Sequence, residues 1–188
     1  ASQPNDPAAL IQSVDGVTAL AVSGINPTAN ITLSAQISSP LASNEQDTLT
    51  LELELKKAET AFDFVASHQS DPVVVTGSQA VSASVKITNL SEGDYHWQAR
   101  VRNKANLVSN WVFFGGNSDS PLPAARDFRI DFPPSSPTGL KAVTCQGNCP
   151  TVHAVALSWT NSSDSDLASV EVWRSTTIGD TGVKVVTV

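Results

Sequence analysis

Apolar and polar residues alternate along most of the chain with a period of two. Residues 31–38 alternate aliphatic with hydroxyl or amide side chains, and residues 48–56 alternate leucine with threonine, glutamate or lysine. Because successive side chains of a strand point to opposite faces, this pattern indicates half-buried β-strands. Similar segments follow at 73–75, 81–87, 95–101 and 128–132, with turn residues between them. The pattern predicts an all-β fold, a β-sandwich of about seven strands.

Proline and the alternation together divide the chain into four parts. Residues 1–27 are predicted as a loose leader with a first edge strand around Thr18 to Val22, and residues 28–132 as the sandwich. A proline-rich linker is predicted at 133–139, because proline donates no ladder hydrogen bond. A second alternating series occupies 140–188, with strands at 140–143, 155–159, 170–173 and 183–188.

The second series supplies only half of a sandwich. Such a half would leave Val155, Leu157, Val170 and Val172 without an opposing sheet. We therefore expect the polypeptide to continue beyond Val188 and the rest of it to be the partner of this unit, with completion of the domain by another chain as the alternative.

Leu90-Ser-Glu-Gly-Asp-Tyr95 and the strand after it resemble the tyrosine corner of fibronectin type III and Ig-like domains. The resemblance implies that the Tyr95 hydroxyl bonds upstream backbone and that Leu90 closes the end of the core. Residues 114–117 are similar to a turn of bacterial surface repeats, and residues 127–131 are similar to the final strand of those repeats. Residues 136–140, 157–160 and 170–175 are similar to strands A, B and C of a fibronectin type III domain. The chain thus resembles tandem Ig/fibronectin-III-like sandwiches, the second incomplete.

Charge excludes some classes of partner. The net charge is -7 with only 11 basic residues, whereas phosphate binding needs clustered lysine and arginine. We therefore expect neither nucleic acid nor an anionic membrane surface as a partner. No apolar run approaches the roughly 20 residues that span a bilayer, so no membrane span is predicted in this segment.

Cys145 and Cys149 are the two cysteines of the chain and flank a Gly147-Asn148 turn. The turn allows the two sulfurs to meet, so a disulfide is predicted, with two free thiols as the alternative. A disulfide would favour an oxidising, extracellular location.

Glu52 and Glu54 are the carboxylate pair whose spacing, roughly 7 Å along a strand, falls within the range of glycosidase pairs. Their alternation with leucine places both on a solvent-exposed face, where we expect ion pairs with Arg100 and Arg102 of the adjacent strand. Both glutamates should then stay ionised near neutral pH. We predict no catalytic residue and no enzyme activity.

Metal and cofactor sites are not indicated either. His68, His96 and His153 lack ligand spacing and are expected at the surface. Asp164 and Asp166 lie in an oxygen-rich loop, which leaves calcium binding open beside a simple polar loop. No glycine-rich phosphate loop or nucleophile elbow occurs, so no cofactor is expected.

The tryptophans divide by their phase in the alternation. Trp97 and Trp159 are in phase with apolar neighbours and are predicted core residues. Trp173 is out of phase and should face outward, and the position of Trp111 is ambiguous. Exposed indoles stack on sugars, so Trp111 and Trp173 are candidate ligand-stacking residues.

Three hypotheses follow for function. The first is a non-catalytic structural or adhesive module of a larger extracellular or cell-surface protein, which acts as a spacer or presents loops to a surface protein or glycan. The second is a carbohydrate-binding accessory module of a secreted hydrolase. The third is a fragment of a phage tail-tip protein, because residues 170–177 also resemble fibronectin-III segments found there. A sandwich fold by itself does not separate these functions.

Overall fold

The computed structural model describes residues 2–116, 122–144 and 155–188. The chain divides into two compact units, Ala1–Phe132 and Pro133–Val188, and each is described by itself. Both units are built from β-strands, and the described residues contain no α-helix. The all-β prediction is therefore confirmed.

The first unit consists of short strands and one 3-10 turn at Phe114–Gly116. Its strands are β1 (Ala8–Ser13), β2 (Gly24–Asn26), β3 (Ile31–Ile37), β4 (Gln46–Lys57), β5 (His68–Gln69), β6 (Val73–Thr76), β7 (Val81–Ile87), β8 (Gly93–Asn103), β9 (Val112–Phe113) and β10 (Phe128–Ile130). They form a three-stranded sheet in the order β1-β3-β7 and a larger sheet in the order β2-β10-β8-β4-β5, with β6 also paired to β4 and β9 to β8.

The hydrophobic core lies between these two sheets. Alternate residues of β3 and β7 face the leucines of β4 and the inward residues of β8 in one buried cluster. Trp97, predicted as a core residue, is 1% exposed, and its ring stacks on Phe114 at 5.0 Å between centroids. The inward positions inferred from alternation on β3 and β4 are buried, as expected for two sheets packed face to face.

The first strand of the chain lies earlier than predicted. Its strand is β1, not the 18–22 segment, where only an isolated bridge joins Ala19 to Ser13. Gln12 of β1 is fully buried and donates to the carbonyls of Ala21 and Asp127, at 2.9 and 2.7 Å. Alternation missed β1 because its buried positions at the end of the strand carry polar side chains.

The second unit contains two antiparallel hairpins. β11 (Thr138–Thr144) pairs with β12 (Val155–Thr160), and β13 (Glu171–Arg174) pairs with β14 (Val183–Thr187). Strands therefore lie at the four predicted places, although β11 begins inside the predicted linker. No residue among 133–144 and 155–188 is buried, and Trp159, expected in a core, is only half-buried.

Candidate functional site

A group of polar side chains lies buried on the outer face of the larger sheet. We call this group the buried polar cluster: Glu52 and Glu54 of β4 and His96 and Gln98 of β8, each at most 4% exposed. The predicted adjacency of β4 and β8 is present, with Glu52 opposite Arg100. The expectation that both glutamates face solvent is wrong, because other parts of the chain fold over this face.

Glu52 is held by two arginines. Arg100 Nε donates to its Oε2 at 2.6 Å, and Arg102 Nε donates to its Oε1 at 2.5 Å. Burial by itself raises the pKa of Glu52, but the hydrogen bonds from Arg102 and Arg100 outweigh it and hold the pKa below its ordinary value. The expected ion pairing is thus present, in a buried rather than an exposed position.

Glu54 has weaker compensation for its burial. Gln98 Nε2 donates to Oε2 at 2.7 Å, the amide of Asp63 donates to Oε1 at 2.8 Å, and Lys56 Nζ lies 3.7 Å away. Burial raises the pKa of the Glu54 carboxyl above its ordinary value, and the hydrogen bonds from Asp63 and Gln98 offset only part of this effect. The ionised form of Glu54 is therefore less favourable in the folded protein than in the unfolded chain.

The segment that buries the cluster is residues 58–67, between β4 and β5, which we call the covering loop. Phe62 of this loop stacks on the His96 ring at 4.1 Å between centroids, and His96 Nε2 bonds the Thr60 carbonyl at 2.9 Å. Ser67 Oγ accepts from the amide of Leu55 at 3.1 Å. The prediction that His96 is a surface residue is therefore wrong. The sequence feature that could have indicated this burial is Phe62, since an aromatic side chain in a loop commonly packs on a neighbouring sheet face.

The residues of the predicted tyrosine corner lie at the start of β8. Tyr95 is 6% exposed, and its hydroxyl donates to the Ser91 carbonyl at 2.9 Å. Leu90 is partly buried against the core, and its amide donates to the carbonyl of Ala29 at 2.9 Å. The two residues connect the chain before β8 to the end of the core.

The two candidate ligand-stacking residues belong to different units. Trp111 is half-buried, and the Arg100 guanidinium lies 4.6 Å from the centre of its ring, so an internal cation already occupies one face. Trp173 is 47% exposed, and its Nε1 donates to Glu171 at 3.1 Å. Together with Trp159 it lines an open groove of about 580 Å³ within the second unit.

The remaining candidate residues lie either outside the described ranges or in an exposed loop. Cys145, Cys149 and His153 lie outside the described residues, so the disulfide stays a prediction. Asp164 accepts hydrogen bonds from the Ser135 amide and the Ser162 hydroxyl, at 2.6 and 2.5 Å, whereas Asp166 lies exposed in the same loop.

The described residues contain neither a group of metal ligands nor a membrane-spanning helix. In residues 2–116, 122–144 and 155–188, no three His, Cys, Asp or Glu side chains are grouped as metal ligands. Within the same ranges no helix has the length and apolar character needed to cross a membrane.

The cluster geometry has a clear structural consequence. Every carboxylate oxygen of Glu52 and Glu54 accepts a hydrogen bond from the protein, and these bonds connect β4, β8 and the covering loop. No protein-family model, curated protein or solved structure matches the chain.

Proposed function

We propose that the chain is a non-catalytic structural module of a larger extracellular or cell-surface protein, which acts as a spacer and presents loops to a partner. The observation that carries the proposal is that the buried polar cluster is bonded entirely within its own unit. Its polar and charged groups are bonded to strands and to the covering loop of the same unit, which stiffens the sandwich. A stiff sandwich with its loops at the surface suits a module that holds other parts at a distance.

The tandem fibronectin-III-like arrangement is part of this proposal. Three features of the first unit support it: a three-stranded sheet opposite a larger one, the buried Tyr95 with its hydroxyl on Ser91, and an antiparallel β4–β8 pair at the centre. The two hairpins of the second unit suit the first strands of a similar domain.

We further propose that other strands of its own polypeptide cover the second unit. Apolar side chains of its hairpins are largely exposed, among them Leu140 at 70%, Val183 at 71% and Val155 at 55%. Two-stranded hairpins are marginally stable in water unless a further sheet or helix packs on their apolar face. Additional strands would bury these side chains and complete a core.

Mechanical unfolding of the full chain tests the spacer proposal. With the chain tethered at its two ends, a sandwich spacer should resist extension and then unfold in one discrete force event. The contour length released should correspond to the first unit, at about 3.3–3.6 Å per residue. Gradual extension without a discrete event would contradict the proposal. Tyr95→Phe should lower the unfolding force, whereas Val17→Ser, at an exposed loop position, should leave it unchanged.

A carbohydrate-binding module is the second candidate, and the groove of the second unit favours it. Trp159 and Trp173 line this groove beside the Glu171 carboxylate, which is a combination of ring and hydrogen-bond acceptor that suits a sugar. A pull-down with insoluble polysaccharides checks this candidate. Retention that Trp173→Ala abolishes and Trp111→Ala preserves would favour sugar binding at the groove, and no retention would remove the candidate.

A further inference from the structure

One edge strand of the first unit is long and regular along its whole length. β7 lies at the end of the three-stranded sheet, so among the described strands only β3 is paired with it. Its seven residues pair with β3 in an unbroken register from Val81 to Ile87. The backbone N–H and C=O groups along the other edge of β7 are a template on which a further strand can pair.

The other edge strands of this unit have features that oppose such pairing. The register of β1 contains a bulge between Ala8 and Ile11. β2, β5 and β9 have only two or three residues each, and β6 is a four-residue strand that directly follows Pro72. Bulges, proline and short length are the means by which proteins protect the edges of sheets. β7 has none of these three features.

The charges near β7 indicate which kind of chain can approach it. Residues 77–90 contain one lysine and no carboxylate, in a chain that has 18 acidic residues. Two copies of the chain, each with a net charge of -7, repel each other, so a contact between them is least opposed where carboxylates are absent. The outward side chains of β7 are exposed, and two of the three are small: Ser82, Ser84 and Lys86. This edge therefore suits a second copy of the chain.

β7 is also complementary to itself in one antiparallel register. When Ser84 lies opposite Ser84 of a second copy, Val81–Ile87 pairs over its full length, with each inward apolar residue opposite another. Lys86, the only charge on β7, then lies opposite Ser82 of the second copy, so that no like charges face each other. The register has a two-fold axis at Ser84, which is the symmetry of most homodimers.

We propose that two copies of this chain associate edge to edge through β7 and so join their three-stranded sheets into one continuous sheet. The two β7 strands run antiparallel, with Ser84 opposite Ser84. Main-chain hydrogen bonds between the strands hold the copies together, and the alternating side chains fix the register. The association goes beyond the spacer function, because it concerns a second copy and not the load that one copy bears.

Sedimentation equilibrium of the full chain over a range of concentrations tests this proposal. We expect a monomer–dimer equilibrium for the wild type. Ser84→Lys places two lysines directly opposite each other and should raise the dissociation constant of the dimer at least about tenfold. Ser34→Lys is the matched control, because Ser34 pairs with Ser84 across the same sheet but lies on the interior strand β3. The control should dimerise as the wild type does.

Ser82→Glu tests the register through a gain of affinity. The introduced glutamate would face Lys86 of the second copy twice in each dimer, once on either side of the axis. The dissociation constant should therefore fall below that of the wild type, and high salt should remove the gain.

Three outcomes would overturn the proposal. The first is a wild-type chain that stays monomeric at every concentration. The second is equal dimerisation of Ser84→Lys and Ser34→Lys, which would place the contact outside β7. The third is a dissociation constant that Ser82→Glu leaves unchanged or raises. Far-UV circular dichroism confirms that each variant is folded. None of these outcomes affects the spacer proposal, because the force experiment extends single tethered chains.

Discussion

At the scale of single residues, the first unit depends on polar side chains that are buried with partners. Tyr95 combines a buried ring, stacked on Phe128 at 5.2 Å between centroids, with a hydroxyl bonded to Ser91 backbone. Glu52 and Glu54 differ in how completely the protein compensates their burial, and the directions of their pKa shifts differ accordingly. Each of these residues has a separate experimental consequence.

Tyr95→Phe should lower the free energy of unfolding by about 1 kcal/mol, because the Ser91 carbonyl would lose its hydrogen bond. Urea denaturation followed by tryptophan fluorescence measures the change. Ser91→Ala keeps the carbonyl acceptor and removes only the longer contact between the two hydroxyls, at 3.3 Å, so it should cost less. An unchanged midpoint for Tyr95→Phe would show that the corner contributes nothing.

Glu52 and Glu54 should affect stability with opposite dependence on pH. The pKa of Glu52 is lowered from its ordinary 4.5, so its stabilising contribution is present above that value and is lost as pH falls through the lower, folded-state pKa. The pKa of Glu54 is raised from 4.5, so its ionised form is less favourable in the folded protein than in the unfolded chain. Stability attributable to Glu54 should therefore increase as pH falls through its raised pKa toward 4.5.

Urea denaturation of wild type, Glu52→Gln and Glu54→Gln between about pH 7 and pH 3 measures this difference. On acidification the advantage of wild type over Glu52→Gln should shrink, whereas wild type should gain relative to Glu54→Gln. Glu59→Gln, at an exposed position, is the control. Parallel pH profiles for Glu52→Gln and Glu54→Gln would contradict the assignment of opposite shifts.

At the scale of elements, two segments determine what the sandwich buries. The covering loop converts the outer face of β4 and β8 into a second, polar interior. β1 closes the opposite side of the unit by pairing with β3, and its Gln12 side chain reaches β8, where it accepts from Trp97 Nε1 at 3.2 Å. Both segments act through side chains that satisfy backbone groups of other elements.

Gln12→Ala should destabilise the first unit by about 2–3 kcal/mol, because it leaves the Trp97 indole N–H and the carbonyls of Ala21 and Asp127 without this partner. Chemical denaturation measures the loss, and hydrogen exchange should show the greatest increase in β1. Gln69→Ala, at an exposed position on β5, is the matched control. A loss as small as that of the control would mean that β1 is held by its strand pairing alone.

At the scale of the whole molecule, the two units differ in how much of their apolar surface they bury. The first has a continuous core between two sheets, whereas none of the described residues of the second is buried. Cooperative stability requires apolar burial large enough to offset chain entropy. The second unit should therefore open far more readily than the first.

Limited proteolysis of the full chain should accordingly cleave within residues 133–188 well before it cleaves the first unit. Mass spectrometry of the products should reveal a protected fragment that ends near Phe132. Hydrogen exchange on the intact chain provides an independent check, with fast exchange expected in β11 to β14. Equal protection in both units would show that the second unit has a stable core of its own.

The sequence by itself determined the strands whose alternation is regular. β3, β4, β7 and β8 each carry apolar side chains at alternate positions, and a shift of one residue would turn these side chains away from the core. Their positions and inward faces, and the pairing of Glu52 with Arg100, were therefore predictable. The resemblance of the segment from Leu90 to Tyr95 likewise indicated the hydrogen bond that the Tyr95 hydroxyl makes.

Only the tertiary structure decided what covers those strands. The burial of Glu54 and His96 depends on a loop that folds back from β4, and alternation along one strand carries no information about a segment that packs on its outer face. β1 was missed for a similar reason, because Gln12 is buried through hydrogen bonds to residues distant in sequence. Alternation is a local property of the chain, whereas burial of a polar group depends on partners that only folding brings together.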